Sequence, residues 1–157
     1  MSGWLRADEA ILDLGCGVGR FAEFILAHGK KYAFGVDYSE VAVDQAKRLL
    51  PDHAHKFSKG DLYDPATLKL VKYDVAVLLE VLEHLGQDMK VVEALPPGKR
   101  VILSLPSFDY ASHFRHFASM KDCVSRYKEL LDVVNTADVD INENKIWLLD
   151  TVRRSNR

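Results

Sequence analysis

The stretch AILDLGCGVGR, residues 10–20, contains the pattern that decides the fold of this chain. Its first five residues are a short, mostly apolar run of the kind found in buried strands, and three glycines at alternate positions follow it. Residues 20–27 have the spacing of an amphipathic helix, which His28 and Gly29 would end. A buried strand, a glycine-rich turn and a helix in this order predict the start of a βαβ unit.

The same alternation of apolar runs and amphipathic stretches continues along the chain. Strands are predicted at 32–36, 55–58, 73–79 and 100–105, helices at 40–50, 80–95 and 120–131, and a hairpin around 142–144. Ser39 and Ser119 are suited to cap two of these helices. We therefore predict an α/β fold with a doubly wound, mainly parallel seven-stranded sheet, an antiparallel strand near the C-terminus and a single domain over 1–157.

Composition and charge exclude several classes of protein. The chain has 157 residues, 48% of them hydrophobic, with 21 Lys+Arg against 23 Asp+Glu and a formal net charge of −2. The hydrophobic fraction is higher than is typical of disordered chains. Proteins that bind a phosphate backbone usually carry an excess of positive charge, which this chain lacks. We therefore expect no nucleic-acid partner, and we interpret Arg153, Arg154 and Arg157 as a solvated tail.

Cysteine usage and apolar runs bear on the compartment. Cys16 and Cys123 stand far apart without a C-x-x-C spacing, which predicts neither a disulfide framework nor a zinc site. No apolar run approaches the roughly 20 residues of a membrane-spanning helix, and the first ten residues lack the pattern of a signal peptide. We expect a cytoplasmic protein without a membrane partner, and the oligomeric state stays open.

The glycine turn and an acidic residue after the second strand predict a nucleotide-type ligand. Glycines let a ligand approach backbone N–H groups that a Cβ atom would block, and Asp37 can accept hydrogen bonds from both hydroxyls of a ribose. A nicotinamide site would have its third glycine at position 20, where Arg20 stands, and the glycine falls at Gly19 instead. The missing Gly-Lys-Ser/Thr sequence also excludes a P-loop.

Five motifs in this order resemble those of the class I S-adenosylmethionine-dependent methyltransferases. They are DLGCGVG (13–19), GVD (35–37), GDL (60–62), LEVLEHL (79–85) and PPGKRVILSLP (96–106). The resemblance covers about residues 8–118. It implies a Rossmann-like methyltransferase fold, S-adenosylmethionine as cofactor and S-adenosylhomocysteine as product.

The resemblance implies roles for the residues of the glycine turn. Gly15, Gly17 and Gly19 would line the methionine and ribose portion of the cofactor, with Asp13 nearby. Asp37 would accept from the ribose hydroxyls. Carboxylates suit this cofactor because it carries a positive sulfonium and an ammonium group.

Four further residues complete the expected cofactor site. Asp61 would accept a hydrogen bond from the adenine amino group, with Leu62 beside the ring. Tyr38 follows the ribose-binding residue and is a candidate to stack near the adenine. Glu80, at the end of the fourth strand, would face the methionine end of the cofactor.

Two histidines are the candidates for the acceptor side. Methyl transfer mainly requires alignment of the acceptor with the methyl group, and a base is needed only when the acceptor must lose a proton. The sequence SHFRHFAS, residues 112–119, resembles an H-x-R-x-F-T/S stretch in which the histidine lies near the acceptor. We expect His84 and His113 to be the catalytic residues.

A divalent metal is the alternative use of the same region. Glu80, Glu83 and His84 would share one face of the predicted helix, and His113 or His116 could complete a set of ligands for Mg²⁺, Mn²⁺ or Fe²⁺. The E-x-x-E-H pattern also resembles the metal-binding stretch of RNA 3′-end 2′-O-methyltransferases and of quinone-precursor O-methyltransferases. The pattern occurs without metal in the family, and we expect no metal here.

The sequence thus predicts methyl transfer from S-adenosylmethionine to an oxygen, nitrogen or carbon atom of a small molecule. Two alternatives stay open. One is an RNA-end 2′-O-methyltransferase with a metal at the E-x-x-E-H stretch, and the other is a non-catalytic cofactor-binding module.

Overall fold

The structure is a computed structural model, and it describes residues 3–155. Within these residues the strands are β1 (Ala10–Leu14), β2 (Lys31–Asp37), β3 (Phe57–Lys59), β4 (Val75–Leu79), β5 (Arg100–Pro106), β6 (Leu131–Ile141) and β7 (Asn144–Arg153). The α-helices are α1 (Arg20–Ala27), α2 (Glu40–Leu49), α3 (Asp88–Ala94) and α4 (Met120–Tyr127). Short 3₁₀ segments cover Pro51–Lys56, Thr67–Lys69 and Leu82–His84.

The strands form one mixed sheet in the order β3-β2-β1-β4-β5-β7-β6. β1 pairs in parallel with β2 and β4, and β2 pairs in parallel with β3. β7 runs antiparallel to both β5 and β6, which makes β6 and β7 the predicted hairpin. The predicted α/β class and the mainly parallel seven-stranded sheet are confirmed.

The described residues fall into two compact units that divide between Val77 and Leu78. The prediction of a single domain over 1–157 stays a prediction. The part of the chain that the structure describes contains no helix that is both long and apolar enough to cross a membrane.

The central strand of the first unit has side chains buried on both faces. β1 is fully buried from Ile11 to Leu14, as a central parallel strand requires. α2 begins at the predicted cap, where the Ser39 hydroxyl accepts a hydrogen bond from the N–H of Ala42 at 3.2 Å. α1 ends at Ala27 with His28 as its C-cap, as predicted, and Gly29 follows with a φ of 66°.

The second unit contains a half-buried and a buried arginine whose contacts the sequence did not reveal. Arg100 on β5 donates two hydrogen bonds to Asp150 on β7, at 2.8 and 2.7 Å. The interpretation of the C-terminal arginines as a solvated tail is wrong for Arg153, which is buried and donates to backbone carbonyls at the end of α3. Arg154 is exposed and pairs with Asp132, whereas Arg157 lies outside the described residues.

The helix predicted over 80–95 is present only in its second half, as α3, and the first half is irregular. Glu80 has a φ of 54°, in the left-handed region, and Val81 follows with a φ of −126°. Tertiary contacts stabilise this bend, because the N–H of Glu80 donates to the hydroxyl of Ser104 on β5 at 2.7 Å. The helix predicted over 120–131 is also too long, since α4 ends at Tyr127 and the chain enters β6 at Leu131.

Candidate functional site

The glycine turn of the first unit requires glycine at each predicted position. Gly15, Gly17 and Gly19 have φ values of 84°, 53° and 83°, a region that other residues rarely adopt. The N–H groups of Gly15 and Cys16 both donate to the carbonyl of Val36, at 2.7 and 3.0 Å. The turn after β1 is therefore fixed to the end of β2.

Asp37 is the residue that holds this turn. One carboxylate oxygen accepts from the N–H of Gly17 and the other from the N–H of Ser39, both at 2.8 Å. The backbone carbonyl of Asp37 also accepts from the N–H of Gly60 at 2.9 Å, which attaches the segment after β3. Each carboxylate oxygen can accept a second hydrogen bond, so Asp37 can order the turn and still receive hydroxyl groups of a ligand.

Asp13 lies inside the fold, below the glycine turn. It is 2% exposed, and its carboxylate accepts a hydrogen bond from the Tyr32 hydroxyl at 3.0 Å. Burial raises the pKa of Asp13 to about 7, the Tyr32 hydrogen bond opposes this shift, and the charge of Asp37 adds to it. The described hydrogen bond of this side chain thus goes to Tyr32 on β2.

Tyr32 is the member of this arrangement that the sequence analysis missed. Its side chain runs beneath β2, and a Cβ atom built on Gly35 would lie 2.2 Å from the Tyr32 hydroxyl. Only glycine at position 35 leaves room for the Tyr32 hydroxyl to reach the carboxylate of Asp13. A glycine within a strand often marks such a close approach, so Gly35 was the available signal.

The residues expected at the adenine end also lie in the first unit. Tyr38 is 74% exposed, and Leu62 is buried. Asp61 is exposed, and its carboxylate accepts from the N–H of Tyr63 at 2.9 Å. An exposed aromatic ring and an exposed carboxylate can provide stacking and hydrogen bonding to a purine.

Glu80 lies at the end of β4 in the second unit. The Ser104 hydroxyl donates to its carboxylate at 2.6 Å and accepts from its N–H at 2.7 Å. This pair of contacts fixes both the backbone and the side chain of Glu80. Because Glu80 precedes the 3₁₀ segment and has a left-handed φ, the predicted helix face that it would share with Glu83 and His84 does not exist.

Glu83, His84 and His113 form a cluster in the same unit. One ligand atom from each lies within 4.8 Å of the others, and the two imidazole rings meet edge to face with centroids 4.8 Å apart. The Nδ1 atom of His84 lies 3.1 Å from the carbonyl oxygen of Ser112, and that of His113 lies 3.3 Å from the carbonyl of Phe108. When each Nδ1 carries the proton for its carbonyl, each Nε2 has a free lone pair.

Glu83 is the unusual member of this cluster. It is fully buried, and among residues 3–155 neither of its carboxylate oxygens has a hydrogen-bond partner. Burial raises the pKa of Glu83 to about 8. Its Oε1 atom lies 3.8 Å from Nε2 of His84, so a protonated imidazole would pair with the ionised carboxylate.

The cluster could hold a divalent cation, and its three members all belong to the ligand set of the metal alternative. A carboxylate and two imidazoles suit Mn²⁺, Fe²⁺ or Zn²⁺, and a cation would satisfy the unpartnered oxygens of Glu83. Within the described residues the group contains His113 and does not include Glu80 or His116. His116 lies outside this group, 3.9 Å from the carboxylate of Asp109 on the exposed part of its loop, and its place among the metal candidates stays a prediction.

Comparison with known proteins identifies relatives of the chain. The sequence profile of the family described as "Methyltransferase domain" matches residues 12–96. Ubiquinone biosynthesis O-methyltransferase from Coxiella burnetii is 27% identical over 103 residues, which are 60% of this chain and 42% of the relative. The enzyme of the same name from Pseudomonas savastanoi is 31% identical over 104 residues, or 62% of this chain and 44% of the relative. The chain thus matches less than half the length of either relative.

A solved structure with the same fold contains a bound nucleoside. Magnesium protoporphyrin IX methyltransferase from Synechocystis, solved with S-adenosylhomocysteine, superimposes with a TM-score of 0.66 at 22% identity. The match covers 94% of this chain and 74% of the other. At this identity the likeness establishes the fold alone.

The buried carboxyl of Asp13 predicts a specific pH dependence of stability. The unfolded chain releases this proton near pH 3.8, whereas the folded protein retains it up to about pH 7. The free energy of unfolding of the wild type should therefore fall between these values, by at most about 1.4 kcal/mol per pH unit, and Asp13→Asn should lack this loss. Urea denaturation of both proteins from pH 4 to 8 measures the difference.

The contribution of Glu83 cancels in this comparison because both proteins contain it. The advantage of Asp13→Asn over the wild type should grow steadily with pH and level off above about pH 7. A difference that is constant from pH 4 to 8 would contradict the prediction.

Proposed function

Because this chain belongs to the methyltransferase domain family, we propose that it transfers the methyl group of S-adenosylmethionine to an oxygen atom of a small molecule. The observation that carries the cofactor assignment is the attachment of the glycine turn to Asp37. Two matched relatives are named O-methyltransferases, which supports oxygen over nitrogen or carbon. We propose that the cofactor residues of the first unit are Asp13, Gly15, Gly17, Gly19, Asp37, Tyr38, Asp61 and Leu62.

In this proposal Asp37 performs two functions with one carboxylate. Its hydrogen bonds to the N–H groups of Gly17 and Ser39 fix the turn before the ligand arrives, so less conformational entropy is lost on binding. The remaining lone pairs accept the ribose hydroxyls. The role that the resemblance gives Glu80, toward the methionine end of the cofactor, stays a prediction.

The reaction needs alignment and one proton acceptor. A lone pair of the acceptor oxygen attacks the methyl carbon, the carbon–sulfur bond breaks, and its electrons neutralise the sulfonium to give S-adenosylhomocysteine. The hydroxyl proton must leave, and the Nε2 atom of His113 or His84 is the proposed base. In this proposal each Nδ1–H donates to its neighbouring backbone carbonyl, which leaves Nε2 as the acceptor.

The grouping of Glu83, His84 and His113 is the observation that favours a metal-dependent alternative. A cation there would act as a Lewis acid toward the acceptor oxygen. It would also compete for the Nε2 lone pairs that the metal-free proposal uses as bases. The RNA-end reaction would in addition need phosphate contacts, and the balanced charge of the chain gives that reaction no support.

Replacing Asp37 tests the cofactor site. We expect Asp37→Ala to bind S-adenosylhomocysteine at least tenfold more weakly in calorimetric titration, because it loses the ribose acceptor and the hydrogen bond that orders Gly17. Glu40→Ala is the matched control, since Glu40 is a nearby exposed carboxylate that pairs only with the exposed Lys59 among the contacts described. Equal affinities of Asp37→Ala and the wild type would contradict the assignment.

Replacing His113 tests the acceptor side. We expect His113→Ala to lower kcat by about 10²–10⁴-fold with an active acceptor, the range typical of a lost general base, without changing the affinity for S-adenosylhomocysteine. His116→Ala is the control, because His116 is an exposed histidine three residues further along the same loop. A parallel loss of cofactor affinity in His113→Ala would indicate a structural role instead.

Chelation distinguishes the metal-free proposal from its alternative. We expect turnover of the purified protein to be unchanged by EDTA, because the proposed proton acceptors are the imidazoles themselves. The metal-dependent alternative would be established if chelation abolished turnover, Mn²⁺ or Fe²⁺ restored it, and the affinity for S-adenosylhomocysteine stayed unchanged throughout. Binding of S-adenosylhomocysteine with no turnover on any acceptor, with or without metal, would favour the non-catalytic module.

A further inference from the structure

Arg115 joins the loop after β5 to the irregular segment after β4, both in the second unit. Its Nη1 atom donates to the carbonyls of Leu82 and Leu85, the latter at 2.6 Å, and its Nη2 atom donates to the carbonyl of Gly86 at 3.2 Å. The side chain is 14% exposed. Three carbonyls, from the first residue of the 3₁₀ segment to the second residue after it, thus accept hydrogen bonds from a single guanidinium.

A buried carboxylate holds the Arg115 guanidinium in place. Asp88, at the start of α3, is 1% exposed and lies 3.4 Å from Nη2 of Arg115. Arg126 on α4 donates two hydrogen bonds to the same carboxylate, at 2.7 and 2.6 Å, and the Tyr127 hydroxyl donates a third at 2.8 Å. Asp88 therefore keeps a charged partner even when Arg115 is replaced.

Neighbouring residues of the loop add backbone attachments to the same segment. The N–H of Phe114 donates to the carbonyl of Glu83 at 2.8 Å, and the carbonyl of Ser112 lies 3.1 Å from Nδ1 of His84. His113 is placed between these attachments, with its ring 4.8 Å from that of His84. The separation of the two imidazoles therefore depends on how the loop docks on this segment.

The other ring contacts of His113 cannot set this separation. Phe108 and Tyr110 pack against His113 with centroids 5.8 and 5.7 Å away, and both belong to the same loop as His113. If the loop moved, these rings would move with it. The loop is also attached at its two ends, where Ser107 contacts Lys145 on β7 and the N–H of Phe117 donates to the carbonyl of Pro106. The attachments to the segment after β4 are the ones that lie next to His113.

We propose that Arg115 is a positioning residue that holds the loop containing His113 against residues 82–88 and so sets the distance between His84 and His113. The inference rests on the proposed function for its catalytic consequence, although the positioning itself does not. Lysine cannot replace this function, because one ammonium cannot reproduce the planar fork that reaches three carbonyls. Arg115→Lys should keep the positive charge and lose the attachment.

The matched control is Arg126→Lys. It perturbs the same buried carboxylate, and the hydrogen bonds described for Arg126 go to Asp88 rather than to the carbonyls of residues 82–86. Binding of S-adenosylhomocysteine reports on folding of the first unit, and thermal denaturation reports on the whole protein. Arg115→Gln provides a second variant, which retains one amide donor, in case Arg115→Lys does not fold.

An NMR measurement tests the positioning without reference to activity. In protein with labelled histidines we expect a nuclear Overhauser contact between the rings of His84 and His113 in the wild type and in Arg126→Lys. We expect the contact to be lost or strongly weakened in folded Arg115→Lys or Arg115→Gln. Retention of the full contact in both Arg115 variants would overturn the proposal.

A double-mutant cycle tests the catalytic consequence. Introduced into the wild-type protein, Arg115→Lys should lower kcat by tenfold or more. Introduced into His113→Ala, it should lower kcat by less than twofold, because Arg115 acts through His113. Equal effects in both backgrounds would overturn positioning through His113. Full activity of His113→Ala would refute the catalytic role in the proposed function, and the NMR contact would still decide whether Arg115 positions the loop.

Discussion

The carboxylate of Asp37 is the interaction on which the first unit depends most. This carboxylate accepts a hydrogen bond from the N–H of Gly17, and the backbone carbonyl of Asp37 accepts one from the N–H of Gly60. The carbonyl of the preceding residue, Val36, accepts from the N–H groups of Gly15 and Cys16. The segments that follow β1, β2 and β3 are therefore fixed to one point at the end of β2. Left-handed glycines make these short hydrogen bonds possible, because a Cβ atom in that conformation would be strained.

The second unit is organised by buried charge rather than by backbone turns. Asp88 pairs with Arg115 and Arg126, and each guanidinium comes from a different segment of the chain. A buried carboxylate without such partners would be costly, so the cluster constrains how the loop and α4 can pack. Glu83 stands in contrast, because its buried oxygens have no hydrogen-bond partner among residues 3–155. An ionisable group in that state is typical of a functional site.

Local patterns predicted most of the strands and helices, and the largest failure has a tertiary cause. β1 and α1 agree with the predicted bounds, and the Ser39 and Ser119 caps are present, because apolar periodicity and capping act over a few residues. The first half of the helix predicted over 80–95 does not form. The N–H of Glu80 donates to Ser104 instead, and Arg115 donates to carbonyls of residues 82–86. These partners are at least 24 residues away along the chain, beyond any local pattern.

The sequence by itself determined the fold class, the need for glycine at the turn after β1 and the carboxylate at the end of β2. These features follow from backbone conformation and from the order of strands and helices. Tertiary structure decided which side chains meet: Tyr32 beneath Asp13, His113 beside His84, and Arg115 on the carbonyls of residues 82–86. Such contacts depend on the packing of distant segments and on bends such as that at Glu80. Gly35 could indicate a close approach within β2, but no local pattern specifies which side chains meet.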